Sequence, residues 1–477
     1  MKKSTNSKIL KMLIIMTFSL NFFSCGNDNS TSPSKSSAKQ IITFNFNSFT
    51  PVIEGAIDQN TKIITLAVPF GTDITNLTPT ITISSNATIN PSSNIPQNFT
   101  NPVLYTVTAE DGSTATYTVK VIFNTNNPGT ISGTISANTT LKDLGLAIDY
   151  IVSGPVYIDG NALLTIEPGT TIIFSSVNDY FQINENAGIR AIGTAEKPIV
   201  FAGPVNNNNK GSWDGIYIKS NRNDNKFEYV EIYRAGSYEN GALNLENGAK
   251  LAMSNCKISA SLHNGLYLNS NATLTLFDNN TIEFCDGYPI SCNDLTQTEK
   301  FNNSNIFLNN IKSSVDIRVG TIISNTFTLN KIDIPYDIYD IDVTNGTFNI
   351  SNGVTLRFKN NGYLNVKDGG ILNANGVTFT ATSAVPGFWY SIEINNKYDN
   401  VLQNCIIEYC SMNDEGGIYT PDGKISLTDV KIQHSSSYGI VFSSENNLIT
   451  HQNVTFSDCA KGNVFDYSTN EVLENLP

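Results

Sequence analysis

G-S-W-D-G-I-Y-I at 211–218 and G-F-W-Y-S-I-E-I at 387–394 hold the only two tryptophans of this 477-residue chain. Trp213 and Trp389 stand 389 − 213 = 176 residues apart, and the likeness runs outward from them. Asp224-Asn225 answers Asp399-Asn400, Ile232 answers Ile407 and Gly241 answers Gly416, all at an offset of 175. Ile258 with Ile432, Gly265 with Gly439, Ile282 with Phe456 and Cys285 with Cys459 follow at 174. Upstream, T-I-E-P-G-T-T-I-I-F at 165–174 answers N-I-S-N-G-V-T-L-R-F at 349–358 at 184. The chain therefore contains a tandem duplication whose loops differ in length while its core pattern persists.

A shorter period runs inside each copy. Ile232, Ile258 and Ile282 are spaced 26 and 24, and Ile407, Ile432 and Phe456 are spaced 25 and 24. Such a period means stacked units, and the apolar/polar alternation around each anchor, as in Val230-Glu231-Ile232, is strand periodicity. Three residues before the anchors stand Tyr229, Asn255, Asn279, Asn404, Asp429 and Asn453. All but the tyrosine tolerate left-handed turns, and stacked amides can form a ladder. Three residues after the anchors stand Ala235, Ser261, Cys285, Cys410, Ser435 and Cys459, all small, which predicts a tight inward corner. The pattern predicts a parallel β-solenoid of about a dozen coils at roughly 24 residues per coil.

With 40 % hydrophobic and 15 % charged residues, and with Asn, Thr, Ser and Gly punctuating short strands, the composition is that of an all-β protein. The net charge of −13 becomes −13 − 4 = −17 without Lys2, Lys3, Lys8 and Lys11. An acidic chain with five arginines and no basic patch is not built for nucleic acid, whose phosphates demand Lys and Arg. Residues 1–24 read as an export leader, basic and then apolar. Phe22-Phe23-Ser24-Cys25 resembles a bacterial lipoprotein signal, with Cys25 as the lipid attachment site and a polar tether at 25–39. Gly26 in place of Asp after that cysteine implies the outer membrane, so the expected partner on that side is the membrane, through the lipid.

Seven cysteines in an exported chain raise the question of disulfides. Cys410 and Cys459 share a corner with Ser435 between them, hence two coils or roughly 9–10 Å apart, beyond the roughly 7 Å limit for a bridge. Cys256 and Cys405 occupy inward positions as small hydrophobes. No Cys/His cluster supports zinc.

Residues 40–124 alternate short strands and turns in the manner of a small β-sandwich. V-P-F-G-T-D-I-T-N-L-T-P-T at 68–80 and Y-T-V-T-A-E-D-G-S-T-A-T-Y-T-V-K-V at 105–121 resemble immunoglobulin-like modules near the N-terminus of Gram-negative surface lipoproteins. A-I-G-T-A-E-K-P-I-V-F-A-G at 191–203 and E-Y-V-E-I-Y-R-A-G at 228–236, with the 165–174 and 211–218 segments, resemble secreted right-handed parallel β-helix proteins of the pectate-lyase-like fold. The second resemblance implies a right-handed coil. Its members include polysaccharide lyases and hydrolases as well as proteins without catalysis, so the fold alone assigns no activity.

The chemistry such enzymes need is sparse. A lyase wants acidic calcium ligands and a basic residue beside the uronate; Arg190, Arg222, Arg234, Arg318 and Arg357 are scattered in sequence, none next to an Asp cluster. The hydrolase segments N-x-D, D-D, G-H-G and R-x-K do not occur in order. His263 reads as a turn residue. The remaining carboxylate candidates for catalysis are Glu239 in one copy and Asp414-Glu415 in the matching loop of the other, against a reading as solvated acidic loops. Asp333, Asp337, Asp340 and Asp342 alternate with apolar residues and are expected to face outward from strands rather than hold calcium; no cofactor or metal is indicated. Trp213 and Trp389 are candidate sugar-stacking platforms, with packing over the coil wall the favoured role.

The expected order is a leader at 1–24, a tether at 25–39, an immunoglobulin-like sandwich at 40–124, a duplicated β-helix at 128–465 (copies near 145–300 and 330–465) and a tail at 466–477. The expected function is that of a surface lipoprotein whose β-helix binds polysaccharide or a cell-surface component without catalysis; a divergent lyase or glycoside hydrolase is the alternative.

Overall fold

The structure is a computed structural model and describes residues 34–69, 72–124, 128–205, 207–238, 240–446 and 448–477. Cys25 and Glu239 lie outside the described residues. Among the described residues there is no α-helix, only strands and three short 3₁₀ turns.

The N-terminal unit has two sheets. Ile41–Phe46 pairs antiparallel with Ile53–Glu54 on one side and Thr80–Ile83 on the other. The second sheet runs in the order Ala56–Asp58, Ile63–Pro69, Thr114–Asn124, Val103–Thr108, Thr88–Asn90. Aromatic rings join the two: Phe44 of the first meets Tyr105 of the second edge to face at 5.1 Å, and Phe46 meets Phe99 at 5.5 Å. The alternation of Ile64, Leu66 and Val68, all buried, supplies the rest of this core.

The remainder is a parallel β-solenoid of about 14 turns, rather than the dozen expected. Each coil contributes up to three short strands, each in-register with its neighbour above and below. The corners explain why the anchor columns look as they do. Tyr229, Asn255, Asn279, Asn404, Asp429 and Asn453 all adopt left-handed backbone, with φ from +49° to +56°. A second left-handed column went unread in the sequence: Arg234, Ala260, Phe284, Tyr409, His434 and Asp458, with φ from +53° to +59°. That conformation costs a non-glycine residue roughly 1 kcal/mol, and the following residue, the small one, turns inward. Ala235, Ser261, Cys285, Cys410 and Ser435 are accordingly buried. Part of the expected amide ladder forms, with Asn453 Nδ2 donating to Asp429 Oδ1 at 2.7 Å. The six cysteines among the described residues are free. Cys292, unplaced by sequence, fills the inner face of Ile290–Cys292, where burial pushes its thiol well above the ordinary range.

The two copies do not stack in line. In the first copy, Thr171–Phe174 belongs to a wall continued by Ile199–Ala202, Val230–Tyr233, Lys257–Ser259, Thr281–Glu283 and Ile306–Leu308. A second wall runs Tyr180–Ile183, Gly215–Ile218, Gly241–Leu245, Asn264–Leu268, Ile290–Cys292, Val315–Ile317. That second wall continues through Tyr336–Ile338 into Thr355–Phe358, the sequence counterpart of Thr171–Phe174. The second copy is thus turned by one wall relative to the first. The third wall of the first copy ends at Thr273–Asp278, and two new sheets begin at Thr321–Ile323 and Phe327–Leu329. Among the described residues only one wall carries hydrogen bonds between strands across this seam.

Candidate functional site

Both tryptophans are fully buried and present no ring to a ligand, which corrects their candidacy as sugar platforms. Trp213 stacks on Phe174 at 3.8 Å and its Nε1 donates to Tyr233 O at 2.8 Å. Trp389 stacks on Phe358 at 4.2 Å and its Nε1 donates to Glu408 O at 2.9 Å. Every partner is related by the duplication: 358 − 174 = 184 and 408 − 233 = 175. Gly211 and Gly387, two residues before each, supply the left-handed turn at φ +67° and +77° that swings the indole inward.

Asp414 sits exposed at a left-handed turn position, paired to Lys461 Nζ at 2.5 Å, and that hydrogen bond holds its carboxyl below the ordinary range. Glu415 is half-buried; burial, then the charge of Glu393, pushes its carboxyl up. Neither lines the main cleft of the solenoid.

That cleft, about 950 Å³, opens over the seam. Register distances along the continuous wall show why. Successive coils measure 315 − 290 = 25, 336 − 315 = 21, 356 − 336 = 20 and 379 − 356 = 23 residues. The two shortest have no room for corner loops, so the outer faces of their strands lie open. Asp316, Asp337 and Arg357 form one outward column by direct register, and Arg318, Tyr339 and Lys359, two residues further on, also line the cleft. Tyr288 and Lys312 contribute from the preceding turns.

Each of the four carboxylate oxygens of Asp316 and Asp337 accepts at least one hydrogen bond. Arg357 grips Asp337 with Nε at 2.6 Å from Oδ1 and Nη2 at 2.8 Å from Oδ2, while Ser314 Oγ donates to Oδ2 at 2.6 Å. Lys359 Nζ donates to Asp316 Oδ1 at 2.7 Å and to Ile317 O at 2.6 Å, and Ser291 Oγ donates to Asp316 Oδ2 at 2.8 Å. The Lys359 ammonium lies 4.4 Å from the Tyr339 ring centre, and Arg318 lies over Tyr267 while hydrogen-bonding its hydroxyl. Burial, then the charges of Asp316 and Asp337, raises the Tyr288 phenol. Four cations (Lys312, Arg318, Arg357, Lys359) against two carboxylates give 4 − 2 = +2 on a chain of net charge −13.

The expectation that no arginine meets an aspartate cluster is therefore overturned: residues 20 apart in sequence, Asp337 and Arg357, are cross-strand neighbours. Asp337 faces outward from its strand as expected but is covered by its partners, its side chain 7 % exposed. A signal was present: D-I-R at 316–318, D-I-Y at 337–339 and R-F-K at 357–359 fall in register once the short coil length is known. Among the described residues no group of three or more His, Cys, Asp or Glu is placed to hold a metal ion.

The class defined so far is an antiparallel β-domain followed by a parallel β-solenoid with a polar cleft over its seam. Residues 41–121 match the family model described as SGBP, N-terminal, and residues 133–235 match the one described as pectate-lyase like beta helix domain. No curated protein matches the chain. Among solved structures, a provisionally assigned glycoside hydrolase from Bacteroides thetaiotaomicron is similar at 33 % identity, over 20 % of this chain and 28 % of that one, with a TM-score of 0.17. A provisionally assigned secreted protein from Bacteroides fragilis is similar at 20 % identity, over 18 % of this chain and 96 % of that one, with a TM-score of 0.15. The chain thus spans 28 % of the first of these.

Proposed function

We propose that this is a surface lipoprotein, anchored in the outer membrane through Cys25, in which an immunoglobulin-like spacer carries a β-solenoid that binds polysaccharide without turning it over. The observation that carries the non-catalytic reading is that both cleft carboxylates are tied to neighbouring side chains. A general acid or base must be able to turn toward the reacting atom, and here both carboxylates are fixed to neighbours, Asp337 in a two-point pair with Arg357 and to Ser314, Asp316 to Lys359 and Ser291. Beside them the cleft is lined by phenol, ammonium and guanidinium groups outside those ion pairs: Tyr288, Tyr339, Lys312 and Arg318. These suit sugar hydroxyls and sugar-borne anions. The N-terminal match supports the reading, since that family carries the name of glycan-binding proteins.

The purified chain should be retained by one or more members of a panel of anionic and neutral polysaccharides, and Arg318→Ala should weaken retention without new ends appearing. Absence of retention by the whole panel overturns the reading. A lyase or hydrolase is the second reading, favoured by the meeting of Asp, Arg, Lys and Tyr in one cleft; new unsaturated or reducing ends, lost in Lys359→Ala, would establish it. The anchor is checked by fatty-acid labelling, which Cys25→Ala should abolish.

A further inference from the structure

The wall that crosses the seam also carries, several coils earlier, a cluster of tyrosines that the packing does not require. Tyr157, Tyr180 and Tyr217 are half-buried, edge to face at 5.8 Å and 5.7 Å. The Tyr157 and Tyr180 hydroxyls share a 2.6 Å hydrogen bond, and Tyr217 OH donates to Asp214 Oδ1 at 2.8 Å. The second copy builds the same Trp–Phe stack beneath Glu393 and Tyr390, the counterparts of Tyr217 and Asp214. Tyr363 answers Tyr180 in register, but Asp342 and Glu393 stand where Tyr157 and Tyr217 do, so the inner fold is indifferent to what stands at those outer positions and the three-ring cluster is a surface feature of one copy. Half-exposed rings with hydroxyls and a buried carboxylate acceptor are the chemistry of a sugar contact: rings for C–H faces, oxygens for hydroxyls.

Tyr217, Asn244, Tyr267, Ser291 and Asp316 are successive register partners on this wall. Four steps of about 4.8 Å place the tyrosine cluster about 19 Å from the cleft along the solenoid axis. Between them Asn244, Tyr267 and Ser291 are buried, Tyr267 beneath the Arg318 guanidinium at 5.2 Å. The wall thus offers two separated anchors in one line rather than one continuous trough.

Building on the polysaccharide-binding reading, we infer that a linear polysaccharide lies along this wall, parallel to the solenoid axis, and is held at once by the seam cleft and by a second site at Tyr157, Tyr180 and Tyr217. Engagement of the second anchor by a chain already held at the first is intramolecular, so affinity climbs once the chain is long enough to span both.

Size-fractionated oligomers of polygalacturonate, a linear acidic chain, and of cellulose, a linear neutral one, would be titrated into the full chain by calorimetry. One series should show a step of about tenfold or more in affinity near the length that spans both anchors, about five sugars at roughly one sugar per coil. Tyr217→Gln, which takes the residue its register partner Gln182 already carries one coil earlier, should remove the step while leaving short oligomers unchanged. Arg318→Ala should weaken short and long oligomers alike. A length profile that Tyr217→Gln and Tyr180→Ala both leave intact, or affinity with no step, overturns the two-anchor geometry while leaving polysaccharide binding standing. Binding of neither series overturns it as well; only the failure of the whole polysaccharide panel would take the underlying reading with it.

Discussion

The two copies of the duplication agree inside and differ outside. Trp213 and Trp389 make the same stack and the same backbone hydrogen bond, to partners that the duplication itself relates. Four residues after each tryptophan, the outward position holds Tyr217 in one copy and Glu393 in the other. Interior positions are constrained by close packing on every side, whereas an outward side chain on a solenoid wall answers only to its neighbours above and below. Conserved chemistry in this chain therefore marks structure, and divergence between the copies marks the surfaces free to acquire a role. The opening motif shows both in one segment: Trp213 turns in, and Asp214 and Tyr217 meet each other on the outside.

The strongest way to break this comparison is to remove each indole. Trp213→Ala and Trp389→Ala should each cost about 3–5 kcal/mol, since each opens a cavity in a sealed core and orphans a carbonyl. Because each coil touches only its neighbours, hydrogen exchange should rise around the mutated copy and stay near its original level in the distant coils of the other. Equal loss of protection throughout both copies would show that the seam does not divide them.

How much was legible follows from the same contrast. The Trp, Ile and Asn columns repeat in both copies, so the sequence announced the solenoid, its corners and the inward role of Cys256 and Cys405. The cleft repeats in neither, because it forms where the second copy is turned by one wall and two coils shrink to 21 and 20 residues. Asp316, Asp337, Arg357 and Lys359 look scattered at any fixed period near 24, and no register could be assigned to them before the coil lengths were known. The second left-handed column was hidden for a different reason. Arg234, Phe284 and Tyr409 are not turn-formers, and the sheet hydrogen bonds on either side impose the conformation.

Next in size is the ion pair of the seam, a feature with no counterpart in either copy alone. Arg357→Ala leaves the Asp337 carboxylate buried with only Ser314 for a partner. The cost should be about 2 kcal/mol, below the roughly 3–5 of a fully buried pair, since 32 % of the arginine side chain is exposed. Arg357→Ala combined with Asp337→Asn should recover part of it, measured as the denaturation midpoint. A double variant no better than the single one would mean that Arg357 acts through packing rather than charge.

The smallest effect tests the diverged outer position itself. In the second copy burial raises the carboxyls of Glu393 and Glu415, with the charge of Asp342 adding to the first shift and that of Glu393 to the second. A carboxyl whose folded value lies above its unfolded value favours the folded state while protonated. That contribution is complete below the unfolded value of about 4.3 and is lost as pH climbs through the folded one. At neutral pH the charged Glu393 is therefore a burden that Tyr217 does not impose on the first copy. Glu393→Gln should raise the melting temperature at pH 7 by about 1–2 °C, with the gain vanishing near pH 4 as the native glutamate takes up its proton. A gain that persisted unchanged at pH 4 would trace to packing. A loss at pH 7 would mean that Glu393 is held by favourable contacts, and that the second copy has put its outer position to a structural use the first never needed.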